Sequence, residues 1–169
     1  WNVETQVIDA WGKVSILQDE TVLTSDNLTY LIDQDLAQFR GSVVQLTDKD
    51  HNTLRTRHLD YNTKDSVAVF MNGGAMRDKD GQIIESRNGT YDSKIKIFTF
   101  ENDVNMFTDS IFVKTRSLVY LSDQNLAKFG QDIIDPALNL VDNTTWYEMS
   151  FKFDKSIPNV RLYAKNHAD

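Results

Sequence analysis

The sequence predicts an all-β fold: an antiparallel jelly-roll, in which a sheet of stacked repeats, each about 30 residues long, is folded over on itself. Two observations lead there. Four thirteen-residue segments, "NLTYLIDQDLAQF", "HLDYNTKDSVAVF", "NGTYDSKIKIFTF" and "SLVYLSDQNLAKF", carry a Tyr in fourth place and a Phe in last. Inside each segment apolar residues alternate with a period of two, the mark of a strand with one buried face, and no window sustains a helical period.

The tyrosines are Tyr30, Tyr61, Tyr91 and Tyr120, spaced 31, 30 and 29 residues apart, and Phe39, Phe70, Phe100 and Phe129 follow them nine residues on. Four further columns agree. Leu28, Leu59, Gly89 and Leu118 stand two before the Tyr, and Ala37, Ala68, Phe98 and Ala127 two before the Phe. A hydroxyl recurs five before the Tyr as Ser25, Thr56, Ser86 and Thr115, and Val43, Gly74, Val104 and Ile133 lie four past the Phe. Turn formers such as "DQD", "NTKD" and "SDQN" separate the strands within a unit, and "TDKDHN" and "RDKDGQ" lead into the next. Short turns favour antiparallel hairpins over a parallel solenoid, the alternative with a similar period.

Residues 1–169 read as one domain with no linker, its repeat core at about 7–135 and degenerate strands at 136–169. "AWGKVSI" resembles the back half of a unit, with Trp11 in the Phe place. After Pro136 the repeat fades, then "WYEMSFKFD" and "NVRLYA" alternate again around Pro158, as a capping hairpin would.

Composition narrows the function. A net charge of −7 without a basic run argues against nucleic acid and against a polybasic membrane-surface module. With no cysteine there is no thiolate site or disulfide, and no stretch is long and apolar enough to span a bilayer as a helix. A chain beginning at Trp1 is expected to be a processed product. His51, His58 and His167 fall in a turn, in a variable column and near the terminus, and no catalytic motif accompanies them. No catalytic residue, cofactor or metal is therefore expected. The acidic pairs Asp48/Asp50 and Asp78/Asp80 lack the further ligands of a calcium loop and read as solvated hairpin turns. Three sequons occur, at Asn27, Asn88 and Asn143, and the first two share a repeat column, so repeat geometry explains them better than glycosylation.

The segments "SDNLTYLIDQDLAQFRGSVVQL", "TRHLDYNTKDSVAVFMNGGAM" and "TRSLVYLSDQNLAKFGQDI" resemble the OstA-like domain of LptA, LptC and the periplasmic part of LptD. The resemblance covers roughly residues 7–135. It departs in the third unit, at Gly89 and Phe98, and in the second, at Asn72 and Gly74.

The resemblance implies a periplasmic lipopolysaccharide carrier that shields lipid A acyl chains in an apolar groove. Its expected partners are LptC-like and LptD-like jelly-rolls or further copies of itself, joined end to end through edge strands. The expected groove lining is Phe39, Val43, Phe70, Met76, Phe98, Phe100, Val104, Met106, Phe129 and Ile133. Arg57, Arg87 and Arg116, four before the Tyr where the first unit has Asp26, are candidate contacts for lipid A phosphates, or surface partners of nearby carboxylates. The same apolar side chains would equally build the dry core of a structural scaffold in a larger envelope protein, and the resemblance also allows an LptC-like or LptD-like module of the same transport system; the sequence leaves both alternatives open.

Overall fold

The computed structural model describes residues 1–109, 112–131 and 147–152. Twelve strands make one antiparallel sheet: β1 (Val7–Gln18), β2 (Thr21–Leu31), β3 (Leu36–Thr47), β4 (Thr53–Asn62), β5 (Val67–Phe70), β6 (Gly74–Arg77), β7 (Ile83–Ser86), β8 (Asn88–Asp92), β9 (Ile97–Phe107), β10 (Phe112–Leu121), β11 (Leu126–Gln131) and β12 (Tyr147–Lys152). A 3-10 turn at Ile32–Gln34 is the one helical element among the described residues. The main path runs β1-β2-β3-β4-β5-β8-β9-β10-β11-β12; β6 pairs with β4 and β7, and β7 with β9. β12 falls within the expected "WYEMSFKFD" strand; its expected partner "NVRLYA" lies outside the described residues.

A line of irregularities crosses the sheet at right angles to the strands. Register shifts fall between Trp11 and Val14, Thr24 and Asn27, Arg40 and Val44, and Thr115 and Ser117. On the same line β5 and β6 are separated by residues 71–73, and β7 and β8 by Arg87. Bulges bend a strand, and a row of them creases the whole sheet. The recurrent hydroxyl column sits on this crease. Ser25 donates to the Asn27 carbonyl (2.8 Å), Ser86 to Asn88 (2.7 Å) and Thr115 to Ser117 (3.2 Å), each two residues on. Thr56 reaches the Gly73 carbonyl at 2.7 Å as well as that of His58 at 3.4 Å. Each bond gives a backbone carbonyl at the crease a side-chain donor.

The crease brings the inner faces of both half-sheets together as one core. One half supplies Leu28, Ala37, Phe39, Leu59, Tyr61, Ala68, Phe70, Tyr91, Phe98, Phe100, Leu118, Tyr120 and Ala127. The other supplies Leu23, Val44, Leu46, Leu54, Met76, Ile84, Val104, Met106 and Val113.

The second and third units depart from the pattern for a packing reason. A Cβ on Gly89 would stand 2.5 Å from the Phe70 ring and 2.6 Å from the Thr99 carbonyl, and one on Gly74 2.7 Å from the same ring. Phe70 thus fills the volume that the leucines of one column, and Val104 of the other, occupy elsewhere. Phe98, in an Ala column, stacks on Tyr91 at 4.1 Å.

The turns are built by their own carboxylates. Asp48 accepts from the backbone N–H of Asp50 and Asn52 at 2.9 and 2.8 Å, and Asp78 from those of Asp80 and Gln82 at the same distances. Both aspartates are buried, so these turns are capped structures rather than solvated loops. Burial pushes the Asp78 carboxyl above its usual range, against the N–H bonds that favour its charged form.

Two outcomes are expected. Gly89→Ala loses about 1–3 kcal/mol by overpacking, and less in a Phe70→Leu background, as chemical denaturation of the four variants will measure. A carboxyl raised in the folded state contributes stability at low pH that is lost as pH rises through its folded value. The stability of Asp78→Asn relative to the native chain therefore increases as pH rises through the carboxylate range, whatever constant loss the substitution carries. Urea titrations at about pH 3.5 and 7 give the difference.

Candidate functional site

The space between the half-sheets is the candidate site, and seven of its ten expected lining residues are there. Phe39, Phe70, Met76, Phe98, Phe100, Val104 and Met106 are each no more than 1% exposed. Phe98 and Phe100 stack at 6.1 Å, and Phe70 tilts against Phe100 at 6.4 Å.

Val43 is a correction: it points outward, 52% exposed, and Val44 takes the inward place at 0%. Between the pairs Arg40–His58 and Val44–Thr56 three residues of β3 oppose Arg57 alone, whereas two residues of β9 oppose Arg116. The extra residue moves the inward position from four to five past the Phe. Phe129 lies on β11 opposite Leu118, and Ile133 lies outside the described residues.

A complete inner column was missed. Leu23, Leu54, Ile84 and Val113, each two before the recurrent hydroxyl, are all buried. Their signal was present in the same alternation, one step beyond the columns anchored on the tyrosines.

The free tips of the two half-sheets form a mouth between two rows of turns. The first row comprises residues 32–35, 63–66, 93–96 and 122–125; the second comprises 19–20, 48–52, 78–82 and 108–109. Along the first row Thr63, Ser93 and Ser122 each donate twice to the preceding turn. Their N–H groups reach the carbonyls of Asp35, Ser66 and Lys96 at 2.8, 3.0 and 3.0 Å, and their hydroxyls reach the same three atoms at 3.2, 3.0 and 3.1 Å. These residues stand two past the buried tyrosines, as "YNT", "YDS" and "YLS", a second column that sequence reasoning passed over.

Polar contacts at a nearly constant chain offset close the mouth. Gln18 donates to the Thr63 carbonyl (2.8 Å, 45 residues apart), Ser66 to Asp19 (3.3 Å, 47 apart) and Asn125 to Asp80 (3.4 Å, 45 apart). The tyrosines stand just inside this seam. Tyr61 meets Ser93 at 3.4 Å, and Tyr120 donates to Asn125 at 2.6 Å. Burial pushes the Tyr91 and Tyr120 phenols up, and carboxylates push further: first Asp48 for Tyr91, first Asp78 for Tyr120.

Arg57, Arg87 and Arg116 do come together, but on the outside of the crease. They line two adjoining open hollows of about 600 and 780 Å³ that share Asn72, Gly73, Arg87 and Asp103. Arg87 pairs with Asp103. Arg57 is four and five residues from the two ends of its strand, roughly 14 and 17 Å at about 3.4 Å per residue. The guanidinium row therefore does not reach the mouth. Among the described residues no group of three acidic or His side chains is placed to hold a metal.

The long first strand exposes its outer edge. Among the described residues β1 bonds to β2 alone, apart from an isolated bridge between Asn2 and Val7, and Trp11 and Leu17 are 76% and 72% exposed.

Comparison with known proteins places this arrangement. The crystal structure of LptH superposes with a TM-score of 0.51 at 10% sequence identity, over 86% of this chain and 95% of that one. LptH is described as the LptA-homologous periplasmic component of the conserved lipopolysaccharide transport device of Pseudomonas aeruginosa. At that identity the likeness establishes the fold, an LptA-like antiparallel jelly-roll. No curated protein matches the sequence. The family model for OstA-like protein matches residues 1–116, and the chain accordingly belongs to the OstA-like family.

Proposed function

We propose that this protein is a non-enzymatic, periplasmic carrier in lipopolysaccharide transport, holding lipid A acyl chains between its two half-sheets. The observation that carries this reading is a continuous apolar interior, with Met76 and Met106 flanking Ile84 in it across β6, β7 and β9, inside an OstA-like fold. Methionine side chains repack around apolar partners of varied shape. Sequestering on the order of ten methylenes is worth roughly 8 kcal/mol before association costs.

The interior residues already pack on each other, so an acyl chain enters only if the mouth parts. Its seam is made of hydrogen bonds each contributing about 0.5–1.5 kcal/mol net, an amount that acyl burial offsets. The exposed edge of β1 is the surface through which LptC-like or LptD-like jelly-rolls, or a second copy, add strands end to end. The near-zero exposure of the core favours the alternative, a dry structural scaffold, if the seam never opens.

The native chain has no cysteine, so the pair Asp19→Cys/Ser66→Cys reports on the seam alone. Uptake of a fluorescent acyl probe is expected when the pair is reduced, to fall at least tenfold on oxidation, and to return with reductant. Uptake unchanged by a verified disulfide would place the acyl chain elsewhere; no uptake in either state would support the scaffold.

A further inference from the structure

The mouth carries an electrostatic asymmetry. The turn segments 19–20, 32–35, 48–52, 63–66, 78–82, 93–96, 108–109 and 122–125 hold eleven of the 25 acidic side chains and five of the 18 basic ones. These lips therefore bear −6 of the formal excess of −7, and the remainder of the chain is nearly balanced. The three crease arginines cannot compensate, since they stand on the opposite side of the fold. The field extends inward, because Asp48 and Asp78 act on the Tyr91 and Tyr120 phenols just inside the seam.

Among the described residues the mouth is the way out for a head group along the length of the fold. Strands β2, β3, β4, β9 and β10 pass through the crease without a break, and where β5 parts from β6 and β7 from β8 the Phe70 ring fills the space beneath Gly74 and Gly89. A lipid with its acyl chains inside must present its head between two rows of carboxylates. Bare phosphates there meet like charge, which costs more the lower the ionic strength.

We propose that the acidic lips set cargo specificity: the protein accepts acylated glycolipids whose head carries no uncompensated negative charge at the mouth. Two sources supply that chemistry, a head group without phosphate and a phosphorylated one neutralised by divalent cations. This inference rests on the acyl-carrying function proposed above.

The test uses the full chain and one acylated glucosamine disaccharide prepared with and without phosphate groups. Affinity is measured at low ionic strength, with and without magnesium. The phosphate-free lipid is expected to bind about tenfold more tightly than the phosphorylated one without magnesium. Magnesium is expected to close most of that gap. If magnesium leaves the gap unchanged, the phosphate-free head is the accepted source and the cation-neutralised one is overturned. Asp33→Asn/Asp65→Asn/Asp123→Asn replaces three exposed lip residues and is expected to improve binding of the phosphorylated lipid several-fold without altering that of the phosphate-free one. Equal or tighter binding of the phosphorylated lipid by the native chain without magnesium overturns charge selection and leaves the carrier function standing. Failure of both lipids to bind overturns the carrier function, and this inference with it.

Discussion

Everything in this fold depends on a short hydrogen bond made at the bend of a strand. An extended sheet has two faces, and burying one of them on a flat surface would need a second layer. Here the sheet supplies its own second layer by creasing, and at the crease Ser25, Thr56, Ser86 and Thr115 hold the bend by donating to backbone carbonyls. The same backbone thereby serves both walls of the interior. Inward columns on either side of the crease then meet as one core, and the hairpin tips are carried round to face each other.

How much of this was readable in the chain depended on the range of the interaction. The tyrosine and phenylalanine columns gave the strand alternation and the repeat, since period-two patterning is local. The hydroxyl column was visible but not its purpose, because the bond it makes exists only where a bulge exists. Val43 was misplaced for a related reason. Counting from Phe39 assumes a bulge of constant size, and β3 carries one residue more than β9 at the crease. Gly74 and Gly89 looked like gaps in the pattern, yet they are the space into which Phe70 extends, Gly89 lying opposite it on the neighbouring strand and Gly74 four residues on. That exchange of volume conserves packing across neighbours and is invisible one strand at a time.

The mouth was the least legible part. Its contacts join residues 45 to 47 positions apart, an offset set by the twist of the folded sheet and by no single unit. The arginine column was read correctly as a row, but its side of the molecule follows from the crease alone. The excess of negative charge becomes polarised once the sheet is folded, with the three-arginine row on the spine and eleven carboxylates at the lips.

The two lips also differ in how they are held. Each turn of the first row is tied twice to its predecessor through Thr63, Ser93 and Ser122. The turns at 48–52 and 78–82 close on their own aspartates, and among the described residues no hydrogen bond joins one to the other. One jaw is a continuous rail; in the other the turns at 19–20 and 48–52 share the exposed Lys49–Glu20 ion pair at 3.6 Å, a weaker tie than the doubled hydrogen bonds of the rail. The work of displacing one of these turns is then more local than that of displacing a length of rail, so the two jaws differ in how far a disturbance at one rung spreads to the next.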